Sequence, residues 1–231
     1  MSSTSVARPA PARIPVTYVV TLVPLAAALN IVGGTINEAL KLPTFLDMIG
    51  TCVAAIVLGP WWGALVGIIT NVGGAFFTGP VNIPFALANV AGALVWGYGV
   101  RSWGMGASLP RYFVLNILVA LAVTAVAAPI VVFVFGGATG HSSDAITAAF
   151  AQAGNDLLAS VFASSIIVSL ADKIIAGFVG LAIIEALPPN LTTGLRLPAA
   201  RGMRGVGIAA AGVAIGVALV LVFSLILSPA S

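Results

Sequence analysis

Asp172 and Lys173 are adjacent charged residues in a largely apolar stretch, residues 161–187. An ionised group at the centre of a bilayer costs about 2.5–3.5 kcal/mol on insertion scales, so each charge must face protein or a water-filled cavity. Neighbours on a helix point about 100° apart, and we therefore expect that these two do not simply neutralise each other on one face. The pair predicts a polar place that handles a solute or a proton; the alternative is a structural charge network with a partner such as Asn89.

Asparagines in three other apolar stretches are further candidates. Asn30, Asn71 and Asn89 are predicted at a similar depth in their helices. Converging amides can hydrogen-bond a polar ring or a carbonyl group. The alternative for each is a helix-to-helix contact worth about 0.6 kcal/mol. Charged residues of the loop after the first helix complete the predicted substrate-binding set: Glu38, Lys41 and Asp47. His141 is expected to be a solvated loop residue.

The composition predicts the class of protein. The chain has 231 residues, of which 60% are hydrophobic and 6% are charged. Soluble domains carry about 25% charged residues. Several windows exceed the ~20 apolar residues that cross a ~30 Å hydrocarbon core. We therefore expect an all-α integral membrane protein, and the net charge of +3 is too small to indicate binding to nucleic acid.

Breakers such as Gly59-Pro60 and Gly79-Pro80 divide the apolar sequence into segments. The predicted spans are 16–36, 44–59, 61–78, 83–100, 112–136, 156–187 and 205–228. Most basic residues then fall at one set of alternate ends: Arg8, Arg13, Arg101, Arg111, Arg196, Arg201 and Arg204. By the positive-inside rule, the N-terminus is expected in the cytosol and the chain in a cell membrane. The predicted units are a cytosolic tail (1–15), a six-helix substrate-binding domain (16–190), a basic linker (191–204) and an additional helix (205–228).

Motifs of enzymes are missing from the sequence. It contains no G-x-S-x-G or H-E-x-x-H pattern and a single histidine. Neither Lys41 nor Lys173 follows a glycine, so neither belongs to a Walker A loop. We expect a protein that is not an enzyme and has no metal or cofactor. Active transport by it requires another subunit or an ion gradient.

Small residues predict close approach between helices. Gly59, Gly63 and Gly67 repeat every four residues and leave one face of the third span as bare backbone. Internal packing and docking of a partner are the two alternatives for this stripe. Ala26 and Ala27 in the first span are further candidates for docking.

Three stretches resemble one family of membrane proteins. They are Leu42-Pro-Thr-Phe-Leu-Asp-Met-Ile-Gly-Thr51, then Leu58-Gly-Pro-Trp-Trp-Gly with Thr70-Asn71, and Ala171-Asp-Lys-Ile-Ile. Residues 16–190 are similar to the substrate-binding S components of energy-coupling factor (ECF) vitamin transporters, which belong to the ABC transporters of bacterial plasma membranes. The resemblance implies a six-helix bundle that binds a small vitamin or vitamin precursor from outside. It also implies partners: a membrane scaffold subunit and two ATPase subunits.

Two features depart from this family pattern. S components often carry Ala-x-x-x-Ala for scaffold contact in the first helix, but here Asn30 and Ile31 follow Ala26 and Ala27 at that spacing. The seventh span is not part of the usual six-helix unit. Two alternatives to solute capture stay open: a membrane sensor or assembly protein without a transported solute, and a proton-coupled secondary carrier that uses Asp172.

Overall fold

The computed structural model describes residues 15–198 and 203–227, and these residues form helices without strands. The tail up to residue 14 and residues 199–202 of the predicted linker, with Arg8, Arg13 and Arg201, lie outside the described residues. The helices are α1 (Val16–Ala39), α2 (Ile49–Val57), α3 (Pro60–Thr78), α4 (Ala86–Arg101), α5 (Leu109–Phe135), α6 (Ser143–Gln152), α7 (Leu157–Ala186), α8 (Pro189–Thr192) and α9 (Met203–Leu227). A 3₁₀ helix, Pro80–Phe85, leads into α4.

Among the described residues, five segments are long and apolar enough to cross a membrane: Val16–Ala39, Pro60–Thr78, Pro80–Arg101, Leu109–Phe135 and Leu157–Ala186. Many of the exposed large side chains on these segments are apolar, among them Phe76 of α3 and Phe133 of α5. Such surfaces suit lipid rather than water. The prediction of an all-helical protein compatible with a multi-pass membrane topology is confirmed.

The second predicted span, 44–59, is wrong in length. Its helix, α2, has nine residues, which at 1.5 Å per residue reach about 14 Å, half of the hydrocarbon core. The preceding residues 40–48, which we call the capping segment, are not a regular helix. Two of them, Lys41 and Leu46, have positive φ angles, of 53° and 55°. This left-handed backbone interrupts any helix that would join α1 to α2.

Helix α2 lies in the core of the bundle, where its residues from Gly50 to Val57 are all buried. Small residues let its neighbours approach closely. A Cβ atom on Gly50 would lie 2.1 Å from the carbonyl oxygen of Ala26, and one on Gly63 would lie 2.4 Å from the Cβ of Ala55. Helices α1 and α3 therefore touch α2 backbone to backbone.

The residues predicted to dock a partner lie inside this packing. Ala26, Ala27 and Gly59 are buried, as are Gly63 and Gly67. A Cβ atom on Gly67 would meet the side chain of Asn89 at 2.9 Å. At Gly63 and Gly67 the stripe packs against α2 and α4, which favours the internal alternative there, whereas a Cβ atom on Gly59 would meet nothing within 4 Å.

Arg101 ends α4 and also completes α2. Its Nη1 donates hydrogen bonds to the carbonyl oxygens of Ile56 and Val57, at 2.8 and 3.0 Å. The last carbonyl groups of a helix lack partners within the helix. The guanidinium group supplies donors and a positive charge at the negative end of the helix dipole.

Helix α9 packs along α7 through two glycines. A Cβ atom on Gly212 would lie 2.4 Å from the ring of Phe178, and one on Gly216 would lie 2.4 Å from Cγ1 of Ile175 and 2.9 Å from the carbonyl oxygen of Ala171. The glycine pair therefore serves contact with α7.

We expect Gly216→Leu to destabilise the protein, because a side chain there enters occupied space. Overpacking of this kind costs about 1–3 kcal/mol. Gly207→Leu is the matched control, since a Cβ atom on Gly207 meets nothing within 4 Å and the gain in helix propensity is the same. Thermal unfolding in detergent measures both variants. Equal melting temperatures would contradict the close contact of α9 with α7.

Candidate functional site

A cavity of about 270 Å³ lies between the capping segment, the 3₁₀ helix, α4, α5 and α7, and residues of α1 and α3 complete its lining. One wall is apolar: Met48, Val81, Phe85, Val123, Ala127 and Val131. The other wall carries polar and charged side chains, among them Ser165, Ser169 and His141. A recess of about 90 Å³ adjoins it and shares Asp47 and Asn71 with it.

The cavity contains most of the predicted binding residues. Its lining includes Glu38, Lys41, Asp47, Asn71, Asn89 and Lys173. Asn30 lines the smaller recess instead. Asp172 lines neither space. Five elements (α1, the capping segment, α3, α4 and α7) supply the six residues that line the cavity, although these lie far apart in the sequence, between positions 38 and 173.

The side chain of Asn30 forms hydrogen bonds with three residues of the core. Its Nδ2 donates to the hydroxyl groups of Thr51 and Thr70, at 2.9 and 3.0 Å, and its Oδ1 accepts from the backbone N–H of Gly50 at 2.7 Å. The side chain is 0% exposed. Protein partners therefore use its amide on both sides, which favours the helix-contact alternative for Asn30.

Asn89 continues this network to the cavity. Its Oδ1 accepts a hydrogen bond from Thr51 Oγ1 at 2.9 Å, and its Nδ2 donates to Oδ2 of Asp47 at 3.4 Å. The chain of hydrogen bonds thus runs from α1 through α2 and α4 to the carboxylate of Asp47. Asn89 orients that carboxylate at the cavity wall.

Asn71 has one side of its amide open. Its Nδ2 donates to the carbonyl oxygen of Gly67 at 2.9 Å, and because a carbonyl oxygen can only accept, this bond fixes which amide atom is nitrogen. Among the described residues, no donor reaches Oδ1 of Asn71. A hydrogen-bond acceptor therefore stands at the wall shared by the two spaces.

Asp172 and Lys173 do neutralise each other, contrary to the expectation from helix geometry. Lys173 Nζ donates to Oδ2 of Asp172, because its long, flexible side chain reaches back past the 100° offset between neighbours. The other oxygen, Oδ1, accepts from the backbone N–H groups of Phe45 and Leu46, at 3.0 and 2.8 Å. Asp172 therefore binds the capping segment, and Lys173 is the member of the pair that lines the cavity.

The capping segment is held from several sides. A Cβ atom on Gly33 of α1 would lie 2.2 Å from the carbonyl oxygen of Leu46, so only glycine permits this approach. Asp172 fixes the N–H of Leu46, whose φ of 55° is unusual for a branched side chain. These contacts set the position of Asp47, which follows directly.

His141 is not the solvated loop residue expected from the sequence. Its ring stacks on Phe45 with 4.7 Å between centroids, and Lys173 Nζ lies 5.5 Å from the centroid of the same phenyl ring. Nε2 of His141 lies 3.0 Å from the carbonyl oxygen of Thr44, and Nδ1 accepts from the N–H of Ser143 at 3.1 Å. Since the carbonyl only accepts and the N–H only donates, these two contacts favour the neutral ring with its proton on Nε2 over the longer contact of 3.4 Å between Nε2 and Nδ2 of Asn37.

Nothing in the sequence near His141 indicated this role, because its contacts are with residues about 100 positions earlier. Ser142 Oγ strengthens the connection by donating to the carbonyl oxygen of Leu42 at 2.8 Å. Phe45 was likewise not predicted as a site residue. Its position within Leu42–Thr51, a stretch already singled out, was the available signal.

Two pKa values outside the membrane-spanning helices are shifted by burial. Burial disfavours imidazolium and lowers the pKa of His141, against smaller effects of Asp144 and other carboxylates. Burial also raises the pKa of the Asp47 carboxyl to about 6, although the charge of Lys173 opposes this. Asp47 is ionised at neutral pH at an energetic cost that a suitable ligand would relieve.

Comparisons with models of protein families, with curated proteins and with solved structures found no match.

We expect Asp172→Asn and Lys173→Met each to reduce the stability of the protein by about 3–5 kcal/mol, since each leaves a buried partner uncompensated. The double variant should recover part of this loss because no unpaired charge remains. Folded yield and melting temperature in detergent measure the effect. Asp156→Asn is the matched control, because Asp156 is exposed and caps α7, a task that asparagine also performs. Additive losses in the double variant would contradict the pairing.

We expect acidification to loosen the capping segment. The folded pKa of His141 lies below the unfolded value of 6.5, so the contacts of the neutral ring are fully present above that value and are lost as pH falls through the lowered folded pKa. Hydrogen exchange of the backbone N–H groups of Leu42, Thr44, Phe45 and Leu46, corrected for intrinsic rates, should quicken as the pH falls from about 7.5 through the lowered pKa of His141. His141→Phe keeps an aromatic ring and removes the titration, and the same pH dependence in that variant would contradict the role of His141.

Proposed function

We propose that this protein is the solute-binding membrane subunit of an ECF-type ABC importer, with a small vitamin or vitamin precursor as its solute. The observation that carries the proposal is the cavity, in which a helical bundle of apolar surface holds charges and amides. Polar groups are costly in such a bundle and usually serve a solute pathway. Binding sites for small molecules combine an apolar lining with a few placed polar groups, as this cavity does.

The residues that carry the family resemblance support the proposal by their positions. The first stretch forms the capping segment and the start of α2. The second forms α3 with Asn71, and the third contributes Asp172 and Lys173 from α7. All three stretches, which are far apart in sequence, border the cavity or hold the segment that covers it. If the resemblance were due to chance, there would be no reason for the three stretches to lie around the same cavity.

The proposal includes a cellular arrangement. The N-terminus lies in the cytosol, the protein resides in a bacterial plasma membrane, and the cavity opens toward the outside. The bundle binds the solute with high affinity, while a membrane scaffold subunit and two ATPase subunits supply the energy. The protein itself performs no catalysis.

We expect the protein purified in mild detergent to retain a small molecule that mass spectrometry identifies. Ala127→Phe should abolish this retention, because Ala127 lines the cavity and a phenyl ring fills it. Ala125→Phe is the matched control: the same change on the same helix, at an exposed position outside the cavity lining. Retention by the Ala127→Phe variant, or no retained molecule in any variant, would contradict the proposed function.

Uptake separates the proposal from its rivals. Cells with the chain and the ATPase module should take up the identified molecule, and cells without the module should not. A sensor or assembly protein gives no uptake under either condition. A proton-coupled carrier gives uptake that survives loss of the ATPases and stops with an uncoupler.

A further inference from the structure

The buried charges beside the cavity do not balance. Asp172 and Lys173 form an ion pair, and Asp47 interacts electrostatically with both. Two carboxylates thus face one ammonium group. Among the described residues, no cation lies within ion-pair distance of Asp47. A surplus negative charge in a weakly polar surrounding is costly unless a cation or a proton compensates it.

The open polar atoms of Asp47 and Asn71 are acceptors, whereas the hydroxyl groups of Ser165 and Ser169 on the same wall can donate or accept. Asn89 donates to Oδ2 of Asp47 at a long 3.4 Å. Apart from the backbone N–H of Asp47 itself, no other donor among the described residues hydrogen-bonds this carboxylate. Asn71 is 4% exposed, its Nδ2 is engaged by Gly67, and its Oδ1 is open. A ligand that satisfies these atoms must bring hydrogen-bond donors.

The cavity is too large and too apolar for an inorganic ion alone. Its volume of about 270 Å³ compares with about 30 Å³ for one water in the liquid. Phe85, Val123 and Val131 form a wall that suits a carbon skeleton. The described residues contain no group of three or more His, Cys, Asp or Glu side chains that could hold a metal ion.

We propose that the solute is a small organic cation, with an ammonium, amidinium or guanidinium group bound by Asp47 and Asn71 and an apolar body against Phe85 and Val123. This inference rests on the proposed function and names the class of solute. At this wall, the cation that an anionic head group would meet is Lys173, whose charge Asp172 already neutralises. The other lysine of the lining, Lys41, is exposed. An anionic head group would raise the surplus from one negative charge to two, whereas a cation removes it.

Three probes of one shape test the charge of the head group: benzamidinium, benzamide and benzoate. Binding is measured by calorimetry on the purified protein at about pH 7.5, where Asp47, with a pKa of about 6, is ionised. Benzamidinium should bind at least about tenfold more tightly than benzamide, and benzoate should bind most weakly. Asp47→Asn should abolish this preference, and Asp156→Asn, an exposed control remote from the cavity lining, should preserve it.

Several outcomes would overturn the inference: tightest binding of benzoate, or a preference for the cation that persists in Asp47→Asn. Stabilisation by sodium ions over potassium ions without selection among the probes would assign the surplus charge to an inorganic cation. The molecule that the purified protein retains shows whether the cation inference or the proposed function has failed. A retained neutral or anionic molecule that Ala127→Phe excludes leaves the function standing and refutes the cation. No retained molecule refutes the function itself.

Discussion

The carboxylate of Asp172 fixes the segment that covers the cavity. It lies on α7, yet one of its oxygens accepts hydrogen bonds from two consecutive backbone N–H groups that precede it by more than 100 residues. The other oxygen binds Lys173. Charge-assisted bonds of this kind offset the cost of burying a carboxylate. Phe45, stacked on His141, and Asp47, at the cavity wall, both take their positions from this anchor.

A second network of amides and hydroxyl groups supports the site from the opposite side. It begins at Asn30, passes through Thr51, and ends where Asn89 meets Asp47. Buried hydrogen-bond networks of this kind specify one arrangement of the helices, because alternative arrangements leave polar groups unpaired. The ionic anchor and the amide network thus meet at neighbouring residues of the capping segment.

Hydrophobic runs and breakers predicted most long helices within a few residues, because segment length and apolarity are local properties. They also drew attention to Asn71 and Lys173, which line the cavity. The length of α2 was not predictable in this way, since Leu42–Met48 is apolar enough for a helix. The helix begins only at Ile49, after the left-handed residue Leu46, whose N–H group, with that of Phe45, is bound by the distant Asp172. His141 escaped prediction for the same reason, as its partners are distant in sequence.

Arg101 shows that an arginine used to predict membrane topology can also have a structural role. By the positive-inside rule, it is one of the basic residues that indicate on which side of the membrane a loop lies. In the fold it also supplies donors to the last carbonyl groups of α2. Moving that charge to the other side of the membrane would therefore remove the end cap of a central helix as well. In the predicted topology, the same guanidinium group thus contributes both to the orientation of a loop and to the packing of the core, so that a substitution of Arg101 affects both.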